Sequence, residues 1–544
     1  MPRSNQSRAT RRRFLQLSGT TTAVAALAGC LADDDDDEEP DDDGDDVDPA
    51  DDDDTDPADD PAPGLDEITI TQGEFISNPD PHDHIAGPYF NIFDQVYEPI
   101  FTVTPDLDFE PRIVTEWEDV DEGAELTVRD DVVFHDGTDM TAHDVAYSFN
   151  RQIDPELGIE SDQAAGLGSI DGAEALDDTT VFVQYEVAPT LAEFEYANYG
   201  RVVPEDFFEE RGHPITGSDE TYFNGTGPLE VVDYESDVQI VMEPFDDYWG
   251  ELVEFDQVTF NADGESGGRV SALQADESQL IDNVIPEDVA AVDDHDDLEI
   301  RAEGSLRTIF LVMKSGVEPF DSLEFRQAMN YAVDNLGIID TIMGGFAEPA
   351  TQPISDGVFG YNPDLEPYEQ DIDMAEDLVD QSGYAGVEIE LAAPDGRYLN
   401  DANVAQTAAD QINQLSNVTC EANIVPFDDV VAASLGGYDN DHHPFHLIGW
   451  GTITGDADYG LAPFFVEEAP FESYRDPDIS DAIIDSKFIE DPDEREAALQ
   501  EINADLNEAA PWVFLHNQNS VYGVNSDLNW SPRVDESIYT WEMS

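Results

Sequence analysis

The chain has 544 residues, of which 127 are acidic and 20 are basic, and its formal net charge at pH 7 is −107. Nucleic acid is therefore excluded as a partner, because phosphate binding requires a basic surface. This length exceeds what one hydrophobic core usually serves, so two or more domains are expected. So large an excess of acid predicts adaptation to molar salt, in which screening removes most of the self-repulsion. The scarcity of lysine, present only at 314 and 487, agrees with this prediction.

Residues 1–29 are predicted to be a signal peptide that is removed from the mature protein. Residues 10–16, TRRRFLQ, resemble the twin-arginine export motif, and the apolar run at 23–28 is too short to span a bilayer. The sequence Leu27-Ala28-Gly29-Cys30 resembles a lipobox, so cleavage before Cys30 would leave a thiol that carries lipid. We therefore expect twin-arginine export and a lipid anchor at Cys30 on the extracellular face of the cell membrane.

Residues 30–64 are predicted to form a disordered acidic tether. Twenty of the residues from 33 to 64 are Asp or Glu, and so charged a segment cannot form a core. Fully extended, the tether would reach about 100 Å from the membrane. The one other cysteine is Cys420, which lies in an alternating apolar stretch and is predicted to be a buried strand residue. No disulfide is expected in a lipidated chain.

The first predicted strand covers residues 67–71. Apolar residues recur at short spacing from 125 to 134 and predict another strand, and His-Asp-Gly at 135–137 predicts a turn. Thr141 is the predicted N-cap of the helix that follows, with Asp144 at the third position as an acidic form of the capping box.

Two motifs in this chain resemble those of one transport family. The run from Trp117 through FHDGT, residues 134–138, to TAHDVAYSF, residues 141–149, resembles the signature of the peptide/nickel class of ABC-transporter solute-binding proteins, family 5. The run PFDSLEFRQAMNYAVDN at 319–335 resembles a second motif of that family, and Gly225-Thr226-Gly227-Pro228 resembles a shorter one. The chain is identified as a haloarchaeal-type lipoprotein member of this family.

Strand and helix patterns alternate in the second half of the chain, which is typical of an α/β sheet covered on both faces. Asp321 is the predicted N-cap of a helix, with Glu324 at the capping-box position. The predicted strands cover 309–312, 388–391, 420–426, 445–450 and 512–515, and the predicted helices cover 371–381, 403–415 and 493–508.

The resemblance implies a two-lobe periplasmic-binding-protein-like fold of type II, α/β in class, with an extra subdomain in the first lobe. The first lobe is expected to comprise residues 65–100, 216–308 and 512–544. The extra subdomain is expected at 101–215 and the second lobe at 309–511. Ligands of two-lobe α/β proteins bind between the lobes, at the carboxyl ends of strands.

The stretch after the strand at 445–450 is the main candidate for ligand binding. It resembles a family segment, Gly-Trp-x-Ala-Asp-Tyr, whose Trp lines the pocket and whose Asp pairs with the α-ammonium group of a peptide. This chain has Ile453 where that Asp would stand, so the role passes to Asp458, or to Asp456, or is absent. Solvated loop acids are the plainer interpretation of both. The candidate ligand-binding residues are Gly449, Trp450, Asp456, Asp458, Tyr459 and, by its position after the first strand, Phe75.

The function implied by the resemblance is solute capture for an ABC importer. The lobes would close by a hinge on a small-molecule or peptide ligand and present it to the transmembrane subunits of the permease. Di- and oligopeptides are the leading ligand class, and a nickel chelate or a sugar is the alternative. A ligand sensor built on the same module is a further alternative. A monomer without enzymatic activity, cofactor or metal is expected.

A remote alternative is a serine hydrolase. Residues 264–268, Gly-Glu-Ser-Gly-Gly, satisfy the G-x-S-x-G pattern between a strand and a helix. Ser266 would be the nucleophile, with His295 or His516 as the base. The pattern is short and loose, and the plainer interpretation is an ordinary polar loop.

A metal site is a second alternative. Asp441, His442, His443 and His446 have spacings that could supply ligands, as have His82 and His84. His446 begins the strand that ends at Trp450, so it would lie about 13 Å from the cleft end of that strand. Incidental surface binding is therefore favoured over a functional metal centre.

Overall fold

The computed structural model describes residues 65–544, apart from 77, 85–86, 106, 121–122, 155–156, 158, 160–162, 164–166, 168–169, 186–191, 213–214, 216 and 490. The predicted signal peptide, the lipobox and the whole of the predicted tether lie outside these residues. In the described part of the chain, no helix has both the length and the apolar character that crossing a membrane requires.

The described residues form seventeen strands and fourteen α-helices. The strands are β1 (Glu67–Gln72), β2 (Phe101–Val103), β3 (Phe109–Pro111), β4 (Val114–Val120), β5 (Gly123–Val128), β6 (Ile170–Ala175), β7 (Thr180–Tyr185), β8 (Leu229–Glu235), β9 (Gln239–Pro244), β10 (Gln257–Ala262), β11 (Leu280–Ile281), β12 (Leu298–Met313), β13 (Ala347–Pro349), β14 (Val387–Ala393), β15 (Val418–Ile424), β16 (Phe445–Gly451) and β17 (Trp512–Asn525). The helices are α1 (Gly87–Val96), α2 (Ala142–Ile153), α3 (Ala192–Tyr199), α4 (Glu205–Arg211), α5 (Ser266–Gln274), α6 (Pro286–Asp293), α7 (Leu323–Ala332), α8 (Asn335–Thr341), α9 (Ile372–Ser382), α10 (Asp401–Ile412), α11 (Phe427–Ser434), α12 (Ala457–Phe465), α13 (Pro477–Ser486) and α14 (Pro492–Ala509).

One long mixed sheet connects the two lobes. Its strand order is β15-β14-β16-β12-β17-β11-β1-β10-β9-β8, with β13 paired to β17. The long strands β12 and β17 run antiparallel through the middle, where the rings of Phe310 and Trp512 stack with their centroids 3.6 Å apart. The apolar run at 309–313 is buried throughout, as a central strand covered on both faces requires. The predicted lobe boundary between 308 and 309 therefore falls inside a continuous strand.

Buried apolar side chains in the described residues form three clusters. One centres on β1, α1 and β8–β10, which we call the first lobe. A second surrounds the antiparallel sheet β4-β5-β7-β6 and its covering helix α2, which we call the subdomain. The largest surrounds β12, β14–β17 and the helices from α7 to α14, which we call the second lobe. The domain bounds given above stay predictions, but these clusters follow their order along the chain.

The predicted start of α2 is confirmed in detail. The Thr141 side chain accepts a hydrogen bond from a backbone amide of the first turn, and the Asp144 carboxylate accepts from the Thr141 backbone amide at 2.9 Å. The predicted strand at 125–134 is wrong in its second half, because β5 ends at Val128. Val132 and Phe134 beyond it are buried in a loop, so their apolar character reflects packing and not strand pairing.

The predicted cap of α7 is displaced by one residue. Ser322 is the N-cap, and its hydroxyl accepts from the Phe325 amide at 3.3 Å. The Asp321 carboxylate accepts instead from the Tyr384 hydroxyl at 2.8 Å, which ties this turn to the segment after α9. Cys420 is buried in β15, as predicted.

Candidate functional site

A cavity of about 510 Å³ lies between the first lobe with its subdomain and the second lobe. Such a volume is within the range of pockets that bury small ligands. The first lobe and subdomain contribute side chains of α1 and α3, and the second lobe contributes the end of β16, the start of α12 and the end of α13. The side chains that line it include those of Phe90, Asp94, Phe194, Tyr199, Arg201, Arg307, Arg397, Trp450, Asp458, Tyr459, Lys487 and Glu536, and Gly449 also lines it.

Trp450 forms an aromatic wall of this cavity. Its indole nitrogen donates to the backbone carbonyl of Tyr459 at 3.0 Å, which holds the end of β16 against α12. Its ring packs edge-on against Phe464, with centroids 5.0 Å apart. Gly449 lies just before it, and a side-chain carbon there would come within 2.8 Å of the Tyr398 ring. Both residues line the cavity, and the close packing leaves the Trp450 ring little freedom to move.

Asp458 lies in the first turn of α12 and lines the cavity with only 4% of its surface exposed. One carboxylate oxygen, Oδ2, lies 3.1 Å from the Nζ of Lys487. The other, Oδ1, is buried and has no hydrogen-bond partner among the described residues. Burial raises the pKa of the Asp458 carboxyl, an effect that the positive charge of Lys487 opposes. The Asp458 carboxylate therefore has unused capacity to accept a hydrogen bond.

Asp456 has a different role from Asp458. It is the N-cap of α12, where its Oδ1 accepts from the Asp458 amide at 2.9 Å. Both of its carboxylate oxygens also accept from the Arg495 guanidinium, at 2.5 and 2.9 Å. The structure thus places Asp456 in a cap and a bidentate ion pair, outside the cavity lining. Phe75 is placed in the core of the first lobe, 8% exposed and likewise apart from the lining residues.

Tyr459 reaches across the cavity to the subdomain. Its hydroxyl lies 3.0 Å from the hydroxyl of Tyr199, the last residue of α3. Burial raises the pKa of both hydroxyls. The Tyr459 ring also lies 5.5 Å, centroid to centroid, from the Phe194 ring. The lobes are therefore in direct contact at this edge of the cavity.

Four basic side chains line the cavity, and reasoning from the sequence overlooked all of them. They are Arg201, Arg307, Arg397 and Lys487. Each faces a carboxylate: Arg201 contacts Asp94 at 2.6 Å, Arg307 contacts Glu536 at 2.5 Å, and Arg397 contacts Glu74 at 3.5 Å. The sequence did carry one indication of them. Only 20 basic residues occur in the whole chain, so each one is a candidate for a specific role.

The cavity differs sharply in charge from the rest of the protein. Among the described lining residues, four are basic and five are acidic, whereas the chain as a whole carries −107. Charges of both signs stand in the lining as adjacent pairs, together with aromatic side chains such as Phe90, Phe194 and Trp450. A ligand with both a positive and a negative group would find a partner for each.

The hydrolase alternative finds no support in the placement of Ser266. Ser266 begins α5, and its hydroxyl donates to the Asp288 carboxylate at 2.7 Å. His295 is exposed. His516 is buried in β17, and neither of its ring nitrogens has a hydrogen-bond partner among the described residues. The described contacts of Ser266 are therefore with Asp288 and not with His516, which a nucleophile and its base would require.

The histidines considered for a metal site are engaged elsewhere. His446 is buried and hydrogen-bonded to the Ser434 hydroxyl at 2.9 Å, and His443 lies 3.1 Å from Glu390. His82 is buried beside Arg151, at 2.7 Å. In the part of the chain that the structure describes, no group of three His, Cys, Asp or Glu side chains is arranged to hold a metal ion.

Comparison with known proteins matches the chain to one family. The family model described as "Bacterial extracellular solute-binding proteins, family 5 Middle" matches residues 108–470. A glutathione-binding protein, GsiB, of Pectobacterium atrosepticum is 23% identical over 494 residues, covering 88% of this chain and 93% of that protein.

Solved structures show the same fold. The periplasmic binding protein DppA from Helicobacter pylori, in complex with peptide STSA, has a TM-score of 0.77 and 21% identity and covers 88% of this chain and 98% of its own. NikA from Staphylococcus aureus, in complex with Ni(L-His)2, has a TM-score of 0.75 and 19% identity. The match covers 88% of this chain and 99% of the NikA chain. The predicted class, an α/β two-lobe fold of type II, is confirmed by these likenesses.

Proposed function

Because this chain belongs to family 5 of the bacterial extracellular solute-binding proteins, which serve ABC importers, we propose that it captures short peptides outside the cell. The two lobes close on the peptide, exclude water from it and present it to the transmembrane subunits of the importer. Affinity and closure are the whole mechanism, and no covalent step is involved.

The observation that carries this proposal is the buried carboxylate of Asp458. Asp458 lines the cavity, and its Oδ1 is buried without a partner among the described residues. A buried acceptor left unpaired costs about 1–3 kcal/mol, which a ligand donor would recover. A peptide α-ammonium group is suited to this position, since a charge-assisted hydrogen bond is strong where the dielectric constant is low.

The rest of the cavity suits the remainder of a peptide. Arg307 and Arg397 are basic groups in its lining that can bind a terminal carboxylate. Trp450 and Phe194 supply apolar surface for side chains. The mixed charge of the lining matches a zwitterion better than a ligand of one sign. Two of the similar proteins bind peptides according to their names, glutathione in one and STSA in the other.

The ligand class is tested first by what the purified protein retains. We expect denaturation in molar salt to release a series of peptides that mass spectrometry resolves. One discrete non-peptide molecule, such as a sugar, or a stoichiometric metal chelate would reject the assignment to peptides and leave the family intact.

The role of Asp458 is tested by substitution. Asp458→Asn should weaken the binding of a peptide with a free amino end by an order of magnitude or more, and should leave an N-acetylated peptide of the same sequence unaffected. Calorimetry measures both affinities. Equal losses for the two peptides would show that Asp458 supports the fold of the site and does not contact the ammonium group.

Export and anchoring complete the proposal. The twin-arginine-like sequence supports export in the folded state, and the lipobox at Cys30 supports a lipid anchor. The excess of acidic residues supports adaptation of the protein to molar salt. Cys30→Ser should move the protein from the membrane fraction to the medium. Retention of that variant in the membrane fraction would contradict a lipid anchor at this residue.

A further inference from the structure

Lys487 occupies an unusual position for so rare a residue. The chain has two lysines. Lys314 is buried in the second lobe and donates to the backbone carbonyls of Ser434 and Glu472, at 2.6 and 3.1 Å. Lys487 follows the last turn of α13, lines the ligand cavity and places its ammonium group 3.1 Å from Asp458. One of the two lysine ammonium groups is therefore paired with the same carboxylate to which the proposed function assigns the ammonium group of the ligand.

We propose that Lys487 is an internal substitute for the ammonium group of the ligand, which an incoming ligand must displace from Asp458. This inference rests on the proposed function for the identity of the natural ligand, and it names the residue that competes with the free amino end of the ligand for Asp458. Lys487 occupies the carboxylate when the cavity is empty and moves toward solvent when a ligand ammonium group takes its place.

The two ion pairs of α12 show why this one can exchange. Arg495 holds Asp456 with two hydrogen bonds, and its side chain is 8% exposed. Lys487 makes one contact to Asp458, and its side chain is 29% exposed. A lysine ammonium group is a single-point donor on a flexible stem, whereas a guanidinium fork is fixed by its planar geometry. The ion pair between Arg495 and Asp456 is therefore expected to persist, whereas the ion pair between Lys487 and Asp458 can open.

The carboxylate is held in place while the lysine moves. Asp458 belongs to the first turn of α12, and its backbone amide donates to the cap at Asp456. Lys487 lies beyond the end of α13, next to Phe488, which is 58% exposed. A moving ammonium group would thus leave behind an ordered acceptor. Such preorganisation lowers the cost of ligand binding.

A tethered cation has two effects on selectivity. It keeps Asp458 ionised in the empty cavity, since a buried carboxylate without a counter-ion tends to take up a proton. It also excludes dissolved inorganic cations, because a group on the same chain acts at a high effective concentration. A ligand ammonium group competes successfully only when the rest of the ligand is bound as well. Discrimination between ligand ammonium groups and the inorganic cations of the salt follows from this competition.

The size of the effect follows from the occupancy of Asp458. If Lys487 holds the carboxylate in nine of every ten empty molecules, apparent affinity is reduced about tenfold. Lys487→Met should therefore tighten the binding of tetra-alanine about tenfold at pH 8 and leave N-acetyl-tetra-alanine unchanged. Lys487→Arg keeps a competing cation and should bind no tighter than wild type. Arg129→Met, which removes a half-buried positive charge that is paired with Asp131 and is not in the cavity lining, is the matched control for net charge.

A second measurement does not depend on peptides. The full-length protein labelled with carbon-13 at lysine Cε should give one NMR signal for each of its two lysines, and Lys487→Met assigns them. We expect Asp458→Asn to shift the Lys487 signal in the empty protein. Ethylammonium chloride should shift it in the same direction, and potassium chloride at the same concentration should not. A Lys487 signal that responds to neither Asp458→Asn nor ethylammonium overturns the proposal.

The two measurements separate this inference from the proposed function. Tighter binding of tetra-alanine to Lys487→Met supports both. Weaker binding of both peptides to that variant shows that Lys487 contacts the ligand, which overturns displacement and leaves peptide capture in place. A wild-type protein that binds neither peptide overturns peptide capture, and the response to ethylammonium then decides the role of Lys487 on its own.

Discussion

The hydroxyl of Tyr199 lies 3.0 Å from the hydroxyl of Tyr459, and the two residues belong to opposite sides of the ligand cavity. Tyr199 ends a helix of the subdomain and Tyr459 lies in the first turn of a helix of the second lobe. Hinge closure in two-lobe proteins needs contacts that exist only when the lobes meet. This hydrogen bond is such a contact, and it lies one residue from Asp458.

Tyr199→Phe should therefore speed ligand release. A neutral hydrogen bond contributes about 0.5–1.5 kcal/mol, so the dissociation rate should rise about two- to tenfold. Stopped-flow fluorescence of Trp450 and its aromatic neighbours can follow release. Tyr361→Phe, a tyrosine packed against the second-lobe core apart from the cavity lining, is the control. An unchanged rate for Tyr199→Phe would show that other contacts between the lobes limit opening.

Substitution at Asp456 should affect stability and not ligand selection. Asp456→Asn keeps a capping oxygen for α12 but removes the charge of the bidentate pair with Arg495, so we expect the free energy of unfolding to fall by about 1–3 kcal/mol. The preference for a free over an acetylated peptide should remain. Urea denaturation in molar salt measures the free energy of unfolding, and calorimetry measures the affinities for the two peptides. Loss of that preference in Asp456→Asn would assign the ligand contact to Asp456 instead of Asp458.

Ligand binding should weaken in acid because of Asp458. Burial raises the pKa of this carboxyl, against the opposing charge of Lys487, and only the ionised form attracts an ammonium group. The affinity for tetra-alanine should thus be constant at high pH and should begin to fall above the usual Asp pKa of about 3.9. It should then drop about tenfold per pH unit. Calorimetry across pH tests this, and an equal fall for the N-acetylated peptide would contradict it.

The buried pair of Asp80 and Arg151 should be among the strongest polar contributions to stability. Both side chains are fully buried and joined by two hydrogen bonds, at 2.8 and 2.9 Å. Asp80→Asn should lower the free energy of unfolding by about 3–5 kcal/mol. Asp131→Asn, at an exposed pair with Arg129, should change it by less than about 1 kcal/mol. Urea denaturation compares the two variants, and similar small losses would contradict the ranking.

The pair of Asp80 and Arg151 also makes the stability of the protein depend on pH, and the direction of this dependence can be derived. Burial raises the pKa of Asp80, but the hydrogen bond and charge of Arg151 outweigh it and bring the pKa to about 2. A carboxyl whose pKa is lower in the folded state stabilises above its unfolded pKa of about 3.9 and loses that contribution as pH falls toward 2. Wild type should lose stability in this window, and Asp80→Asn should lose less.

Local chemistry in the sequence predicted local structure well. Thr141 and Asp144 form a capping box because both partners lie within one turn, where spacing alone determines contact. Asp321 and Ser322 show the limit of this reasoning, because either could cap α7. The choice depends on Tyr384, 63 residues later, whose hydroxyl donates to the Asp321 carboxylate. Which of two adjacent polar residues caps a helix is decided there by tertiary contact.

The candidate site was predictable only where motifs marked it. Trp450, Tyr459 and Asp458 line the cavity and belong to one stretch with a recognisable pattern. Arg307 and Glu536 are 229 residues apart and meet only in the folded chain. No periodicity or spacing connects them, so the sequence carried no local sign of their pairing. The opposing charges of the cavity are a property of the fold.

The balanced charge of the cavity bears on how fast a ligand can arrive. Outside it, the chain presents a strongly negative field, which at low ionic strength repels any anionic solute well before it reaches the opening. In molar salt the screening length is about 3 Å, so an approaching solute senses little beyond the nearest side chains. Capture should then depend on the few charges at the opening, and dilution of the salt should slow the encounter of acidic peptides far more than that of basic ones.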